Sequence, residues 1–308
     1  MANSIFEIVR RLLCRALNNN YLNSFLILNY NLNNPDWLGI NHPDWPKNVK
    51  TQMSTRLGGF SEAPYCSLNL GDHVGDNIDR VQENRDLLAK TLSVSPVFLK
   101  QVHGNNVIEL HQGLPQGLQA DACFTRTSGV ACTVMVADCL PILLTHKNGA
   151  FVAAAHAGWR GLCGLGCSGD ETVLQSLIQK LGLSVRLQKE DLKDCLAWLG
   201  PCIGPGEFEV GCDVKNAFNK LEIEQGVEVN QFFIPIQGHD KATQADSPKK
   251  WLADLPGLAR VSLRNMGVKD VFGNDGSDNW CTVRNETFFF SHRRDKRTGR
   301  QAVFAWLD

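Results

Sequence analysis

The strongest constraint on the fold is the middle of the chain, where three apolar runs follow one another: Val130–Val136, Pro141–Thr145 and Ala150–Ala155. They are rich in small and β-branched residues. Continuous runs of this kind predict short strands buried on both faces. Around them, Ile78–Leu92 has helical spacing with charges opposite its apolar side, and Glu171–Leu183 has the same spacing with Asp170 as N-cap. Val214–Leu221 and Lys249–Met266 also read as helices. Further strands are expected at Val49–Thr55, Ala197–Leu199, Val271–Phe272, Thr287–Phe290 and Ala302–Trp306, with two short ones within Val97–Leu110. Strands and helices mix without a strict βαβ rhythm, repeat or long linker. That favours one α+β domain with a mixed sheet over a doubly wound fold. No Gly-x-Gly-x-x-Gly follows a strand and no P-loop is present.

Residues 37–308 are expected to form this domain. Residues 1–36 read as an appendage or, alternatively, as a targeting or docking segment, with an arginine-bearing stretch from Ile5 to Leu17 followed by an asparagine-rich one. A net charge of -1 gives no global basic field, so neither nucleic acid nor an anionic membrane is expected as a partner. Eleven cysteines, an odd number in a long chain without a convincing signal peptide, do not make a secreted disulfide framework. A reducing, cytoplasmic setting is the simpler expectation. The lack of a coiled-coil pattern fits a monomer or weak homodimer.

Three segments share one character, an apolar strand ending in a small-residue turn that carries a metal-binding side chain. They end in Gln101-Val102-His103-Gly104, Ala137-Asp138-Cys139-Leu140-Pro141 and Ala155-His156-Ala157-Gly158. Imidazole and thiolate suit zinc, and three protein ligands leave the fourth tetrahedral position open, as in catalytic sites. Spacings of 36 and 17 residues exclude a zinc-finger pattern. Spacing alone leaves two rivals: a satisfied core histidine with a buried cysteine, and a cysteine hydrolase in which His156 is the base for Cys139 and Asp138 orients the ring. Arg56 beside Gly58-Gly59, and Arg160 in Gly158-Trp159-Arg160-Gly161, suit an anion or a solvated turn. The basic stretch Ser291–Arg300 reads as a solvated hairpin or a phosphate-binding loop. It lacks the interleaved aromatics of a single-strand binder.

Taken in order, Thr55-Arg56-Leu57-Gly58-Gly59-Phe60-Ser61, Ser67–Asp76, Gln101–Gly104, Ala137–Ile142, Ala155–Gly161, Gly200–Pro205, Phe289–Asp295 and Thr298–Arg300 resemble the YfiH-like family. That family was long labelled multicopper polyphenol oxidase or laccase-domain proteins and is described as zinc-dependent purine nucleoside phosphorylases. The resemblance covers residues 37–308. It implies one catalytic Zn2+ on His103, Cys139 and His156. It also implies phosphorolysis of adenosine, inosine, guanosine and methylthioadenosine, deamination of adenosine, and an α+β fold of packed sheets with helices outside. Within it, Asp138 becomes a candidate proton donor to departing ammonia, beside Cys139 in the catalytic set. Arg56, Asn69, Arg160 and Arg293 become candidate contacts to phosphate or nucleoside. A cysteine-dependent amidase, acting on peptidoglycan, is the alternative. Eight histidines without a His-x-His pair argue against a copper oxidase. The chain departs from the family pattern at the Gly- and Cys-rich stretch Leu162–Gly169 and at His292, where tyrosine is expected.

Overall fold

A computed structural model describes residue 40 and residues 42–219, 221, 226, 228–236 and 250–308. The expected appendage lies outside the described residues. In chain order the elements begin with β1 (Val49–Met53), α1 (Ile78–Leu92), β2 (Ser95–Phe98), β3 (Val107–Leu110), β4 (Ala122–Thr125) and β5 (Val130–Val136). Then come β6 (Leu140–His146), β7 (Val152–Ala157), α2 (Trp159–Cys163), α3 (Val173–Ser184), β8 (Cys195–Leu199), β9 (Glu209–Gly211) and α4 (Cys212–Ala217). The last are β10 (Phe233–Pro235), β11 (Lys250–Ala253), α5 (Leu255–Met266), β12 (Asp270–Gly273), α6 (His292–Asp295) and β13 (Gln301–Leu307).

The three apolar runs become β5, β6 and β7, but they do not share one sheet. β5 lies in a four-stranded sheet ordered β1-β13-β5-β2, and β6 and β7 in a six-stranded sheet ordered β12-β8-β6-β7-β4-β3. Both are mixed: β2–β5, β3–β4 and β12–β8 pair in parallel and the other neighbours antiparallel. A small third sheet runs β10-β11-β9.

Side-chain alternation explains how the two large sheets stack. Val130, Cys132, Val134 and Val136 of β5 meet Leu143 of β6 and Val152 and Ala154 of β7 in one buried cluster. The opposite parity on β7, Ala153, Ala155 and Ala157, packs with Leu174, Leu177 and Leu181 of α3 and Leu258, Ala259 and Leu263 of α5. The central strands β6, β7 and β8 of the six-stranded sheet are therefore buried on both faces, as the continuous runs predict for β6 and β7. The outer face of the four-stranded sheet is closed by Leu88 of α1 with Leu68, Leu70, Phe98, Met135 and Phe304. Each large aliphatic or aromatic side chain so enclosed contributes roughly 1.5–3 kcal/mol. The result is the expected α+β architecture.

Local chemistry moves several boundaries. α3 is capped by Thr172 rather than Asp170: the Thr172 hydroxyl accepts from Gln175 N, and the Gln175 side chain accepts from Thr172 N. The single helix expected across Lys249–Met266 is instead strand β11 followed by α5, because Asp254 caps Gly257 N and Pro256 sits in the first turn. Thr287–Phe290 is not a strand; the Asn285 carbonyl accepts from Phe288 N and Phe289 N and winds this segment into a turn. The basic stretch after it is the short helix α6, capped by the Ser291 hydroxyl, rather than a hairpin. No helix among the described residues is long and apolar enough to cross a membrane.

Candidate metal centre and its cavity

The site forms where the chain passes from one large sheet to the other. His103 lies between β2 of the four-stranded sheet and β3 of the six-stranded one, and Cys139 between β5 and β6, which make the same crossing. His156 sits near the end of β7, opposite Pro141 of β6. Both crossings use left-handed backbone at residues other than glycine, with φ 62° at His103 and 102° at Asp138. Such conformations cost energy and cluster at functional sites.

The crossings bring the three side chains together. His103 Nε2 lies 3.7 Å from Cys139 Sγ. The two imidazole rings are 4.8 Å apart between centroids and inclined at 66°. One donor atom from each of the three residues falls within 4.8 Å of the others, and no other such group of three occurs among the described residues. Zinc bonds of roughly 2.0–2.3 Å at tetrahedral angles separate a nitrogen and a sulfur by about 3.5 Å. The observed spacing fits that requirement, and the borderline-soft donor set fits the metal.

Asp121, immediately before β4, is the partner of His156. Its carboxylate is fully buried and accepts from His156 Nδ1 at 2.9 Å. It also accepts from the backbone N–H groups of Val102, His103 and Gly104 at 3.1, 2.9 and 2.8 Å. Burial pushes the carboxyl upward, but the bond from His156 and these amides outweigh it and hold it below the usual range. In the metal-free protein, burial would push the Cys139 thiol up. The charge on His156 and hydrogen bonds from both histidines prevail and bring it to about 6. Burial pulls His156 down, yet the Cys139 charge and the bond to Asp121 raise it to about 9. Thiolate and imidazolium thus stabilise one another.

His103, Cys139 and His156 form one wall of a cavity of about 510 Å³, a size suited to a small organic ligand. Met135, Val136, Trp159, Ile203, Phe208 and Leu255 give it apolar surface, and His73, His292, Arg293, Lys296 and Arg300 give it basic groups. Of the residues singled out from sequence, His103, Asp138, Cys139, His156 and Arg293 line it together. Asp138 has both carboxylate oxygens engaged at 2.6 Å, one by the Thr282 hydroxyl and one by Arg293 N. It holds α6 against the crossing, and the carboxylate that orients His156 is Asp121 instead.

Arg56, Asn69 and Arg160 do not line the cavity. Arg56 is buried, donates to the carbonyls of Cys66 and Glu286, and lies over the Phe290 ring. The neighbouring Gly59 serves packing: a Cβ there would fall 2.4 Å from Leu68 Cα. Asn69 is buried behind the wall, its Oδ1 accepting from Gly71 N and Arg300 N. Arg160 is exposed on α2, over the Trp159 ring. Asp121 and the cavity-lining His73 were not singled out from sequence, and the cavity-lining Lys296 and Arg300 were covered only as part of the basic stretch Ser291–Arg300. Asp121 had one available signal, a lone carboxylate inside the apolar run Ala120-Asp121-Ala122-Cys123-Phe124.

With this geometry in view, the likenesses to known proteins are informative. A family model described as multi-copper polyphenol oxidoreductase laccase matches residues 50–308. The chain is 44% identical over 269 residues to purine nucleoside phosphorylase YfiH of Escherichia coli K12, covering 86% of this chain and 97% of that one. It is 40% identical over 267 residues to purine nucleoside phosphorylase PA4543 of Pseudomonas aeruginosa, covering 86% and 97%. The crystal structure of Neisseria meningitidis protein NMB0706 superposes with TM-score 0.74 at 40% identity, covering 89% of this chain and 99% of that one. YlmD of Geobacillus stearothermophilus does so with TM-score 0.70 at 26% identity, covering 91% and 98%. On sequence and on fold alike, the chain belongs to the YfiH-like family, whose family model carries the description multi-copper polyphenol oxidoreductase laccase.

Proposed function

We propose that this protein is a zinc-dependent purine nucleoside phosphorylase that also deaminates adenosine, acting on adenosine, inosine, guanosine and methylthioadenosine. The observation that carries the reading is the closure of His103, Cys139 and His156 onto one wall of a cavity that also holds apolar and cationic surface. Relatives sharing 40–44% identity over nearly their whole length are named purine nucleoside phosphorylases, which supplies the substrate class. The copper description is the weaker guide, since His–Cys–His is a single three-donor set and a multicopper site needs several imidazole clusters.

When bound, zinc supplies a Lewis acid with an open coordination position inside the cavity. The remaining work falls to the chain itself. Phosphorolysis makes a bond from a phosphate oxygen to C1′ as the C1′–N9 bond breaks and its electrons leave with the purine. The enzyme must therefore place an anion beside the ribose and a flat base on apolar surface. Trp159, Phe208, Ile203 and Leu255 offer that surface, and His73, Lys296 and Arg300 offer the anion end. Arg300 is anchored for the role: its N–H is held by Asn69, and its Nη1 by the carbonyls of Thr298 and Gly299. The Arg293 guanidinium is committed to the carbonyls of Glu207 and Glu209, which fixes the cavity rim.

The deciding experiment incubates zinc-loaded protein with adenosine, with and without phosphate. Adenine formed only with phosphate, and inosine formed in either case, are the expected products. A folded, zinc-loaded protein that releases neither would overturn the assignment. Arg300→Ala should raise the phosphate KM about tenfold or more while leaving the nucleoside KM within a few-fold. Arg56→Ala should instead lower the melting temperature and leave the phosphate KM of the folded fraction unchanged, because its guanidinium satisfies buried carbonyls. The opposite pattern would return the anion site to Arg56.

One observation favours a second reading: Asp121, His156 and Cys139 form a carboxylate–imidazole–thiol series of the kind that activates a nucleophile. A chelator separates the two. A thiol amidase keeps its activity after metal removal, and the zinc enzyme loses it.

A further inference from the structure

We propose that Asp121 is the positioning residue of the metal centre, its one buried carboxylate fixing the tautomer of His156 and the backbone of His103 together. The inference rests on the metal reading above and adds to it a residue that touches neither metal nor substrate.

Four donors converge on this carboxylate: three consecutive backbone N–H groups, from Val102 to Gly104, and His156 Nδ1. Three successive amides around one oxygen pair form a nest, an anion-binding concavity of the main chain. Here the anion is the protein's own. His103 needs the help, because its left-handed backbone costs on the order of 1–2 kcal/mol in a residue with a Cβ. The side chains of Val102 and His103 are also exposed, so their own burial does little to hold this turn. Gln101 and Asn105 anchor its flanks, and Asp121 holds the three amides between them from below.

The same carboxylate decides the state of the second histidine. A carboxylate only accepts, so His156 Nδ1 must donate, and the Nε2 lone pair is left to ligate. The main chain completes the coupling: His156 N donates to the Asp121 carbonyl at 2.7 Å. One residue therefore ties together two ligands 53 positions apart in sequence. Asparagine in its place would offer one amide oxygen to four donors and turn an N–H group toward them.

The test is zinc affinity, measured by competition with a chromophoric chelator on the full chain. Asp121→Asn should bind zinc 10- to 100-fold more weakly while keeping its far-ultraviolet circular dichroism. A role confined to holding the fold predicts a lower melting temperature and unchanged affinity in the folded protein, and that result overturns the proposal. Wild type provides a second measurement, which stands even where the variant does not fold. In 15N-histidine-labelled protein loaded with 113Cd, the metal should couple to Nε2 of His156, with Nδ1 carrying its proton. Coupling to Nδ1 overturns the proposal. A wild-type chain that takes up no zinc overturns the metal reading itself. Normal uptake with an unaffected Asp121→Asn overturns only the role of Asp121.

Discussion

Cys139→Ala is expected to reduce bound zinc from one per chain to a small fraction, and kcat/KM for phosphorolysis by at least about a thousandfold, equivalent to roughly 4 kcal/mol. Two imidazoles remain after the substitution, but the only soft, anionic donor is gone. Zinc content by atomic emission and initial rates with adenosine and phosphate check both parts. Full activity with zinc retained would remove Cys139 from the ligand set; zinc retained with activity lost would favour the nucleophile reading. A pH signature accompanies the loss. The Cys139 thiolate contributes stability fully above its ordinary pKa, and that contribution is lost as pH falls through about 6. The His156 imidazolium contributes fully below its ordinary pKa, and that contribution is lost as pH rises through about 9. Metal-free wild type should therefore show its highest melting temperature between these values. Metal-free Cys139→Ala should lack that maximum, because the thiolate is what most raises His156.

The layers of the fold were legible for a physical reason. β5, β6 and β7 are buried on both faces, and such strands leave a continuous apolar signal that no exposed element imitates. The division of those strands between two sheets was not legible. It depends on what happens at residues 137–139, where a left-handed Asp138 carries the chain across, and one residue in an unusual conformation leaves no periodicity behind. Boundaries failed where a cap outranked hydrophobic spacing, as at Thr172 and Asp254.

The site shows the same division. His103, Cys139 and His156 were readable because their side-chain types are scarce and each ends an apolar strand. Arg56 and Arg160 were read as anion contacts and neither lines the cavity, because an arginine beside glycines looks the same from sequence whether it faces a ligand or a carbonyl. Both Arg56 and Arg300 donate to carbonyls; what separates them is that Arg300 lines the cavity, whereas Arg56 is held away from it by carbonyls of residues 10 and 230 positions distant. Asp121 was overlooked for a related reason. Its four donors come from segments 17–19 and 35 residues distant, so its environment exists only after the sheets have stacked.

Gly158→Ala is the second substitution with a large expected effect, and it isolates packing against His103 and Cys139 from everything else. The backbone at Gly158 has φ -65° and ψ 159°, which any residue adopts, so alanine brings no backbone strain. The residue caps α2 without a side-chain hydrogen bond, so no cap is lost either. Only the added methyl matters. It would fall 2.8 Å from His103 Cδ2 and 3.2 Å from Cys139 Sγ, and the closer of these is a separation that real Cβ atoms do not show. Either the His103 ring or the β7–α2 turn must move. The ring sits on a turn held by Asp121, and the turn is anchored by Leu162 N donating to Gly158 O. Neither yields without loosening the donor triangle. Overpacking of this kind costs about 1–3 kcal/mol of stability, a modest shift in melting temperature for a chain of this length. A ligand displaced by several tenths of an ångström costs far more in function, so zinc affinity should fall by at least about tenfold and kcat/KM by about a hundredfold. The two losses should track each other, and saturating zinc should restore part of the rate. A Gly158→Ala protein with wild-type zinc affinity and wild-type rate would mean that His103 and Cys139 need not approach each other for catalysis, and the metal centre would have to be sought elsewhere in the cavity.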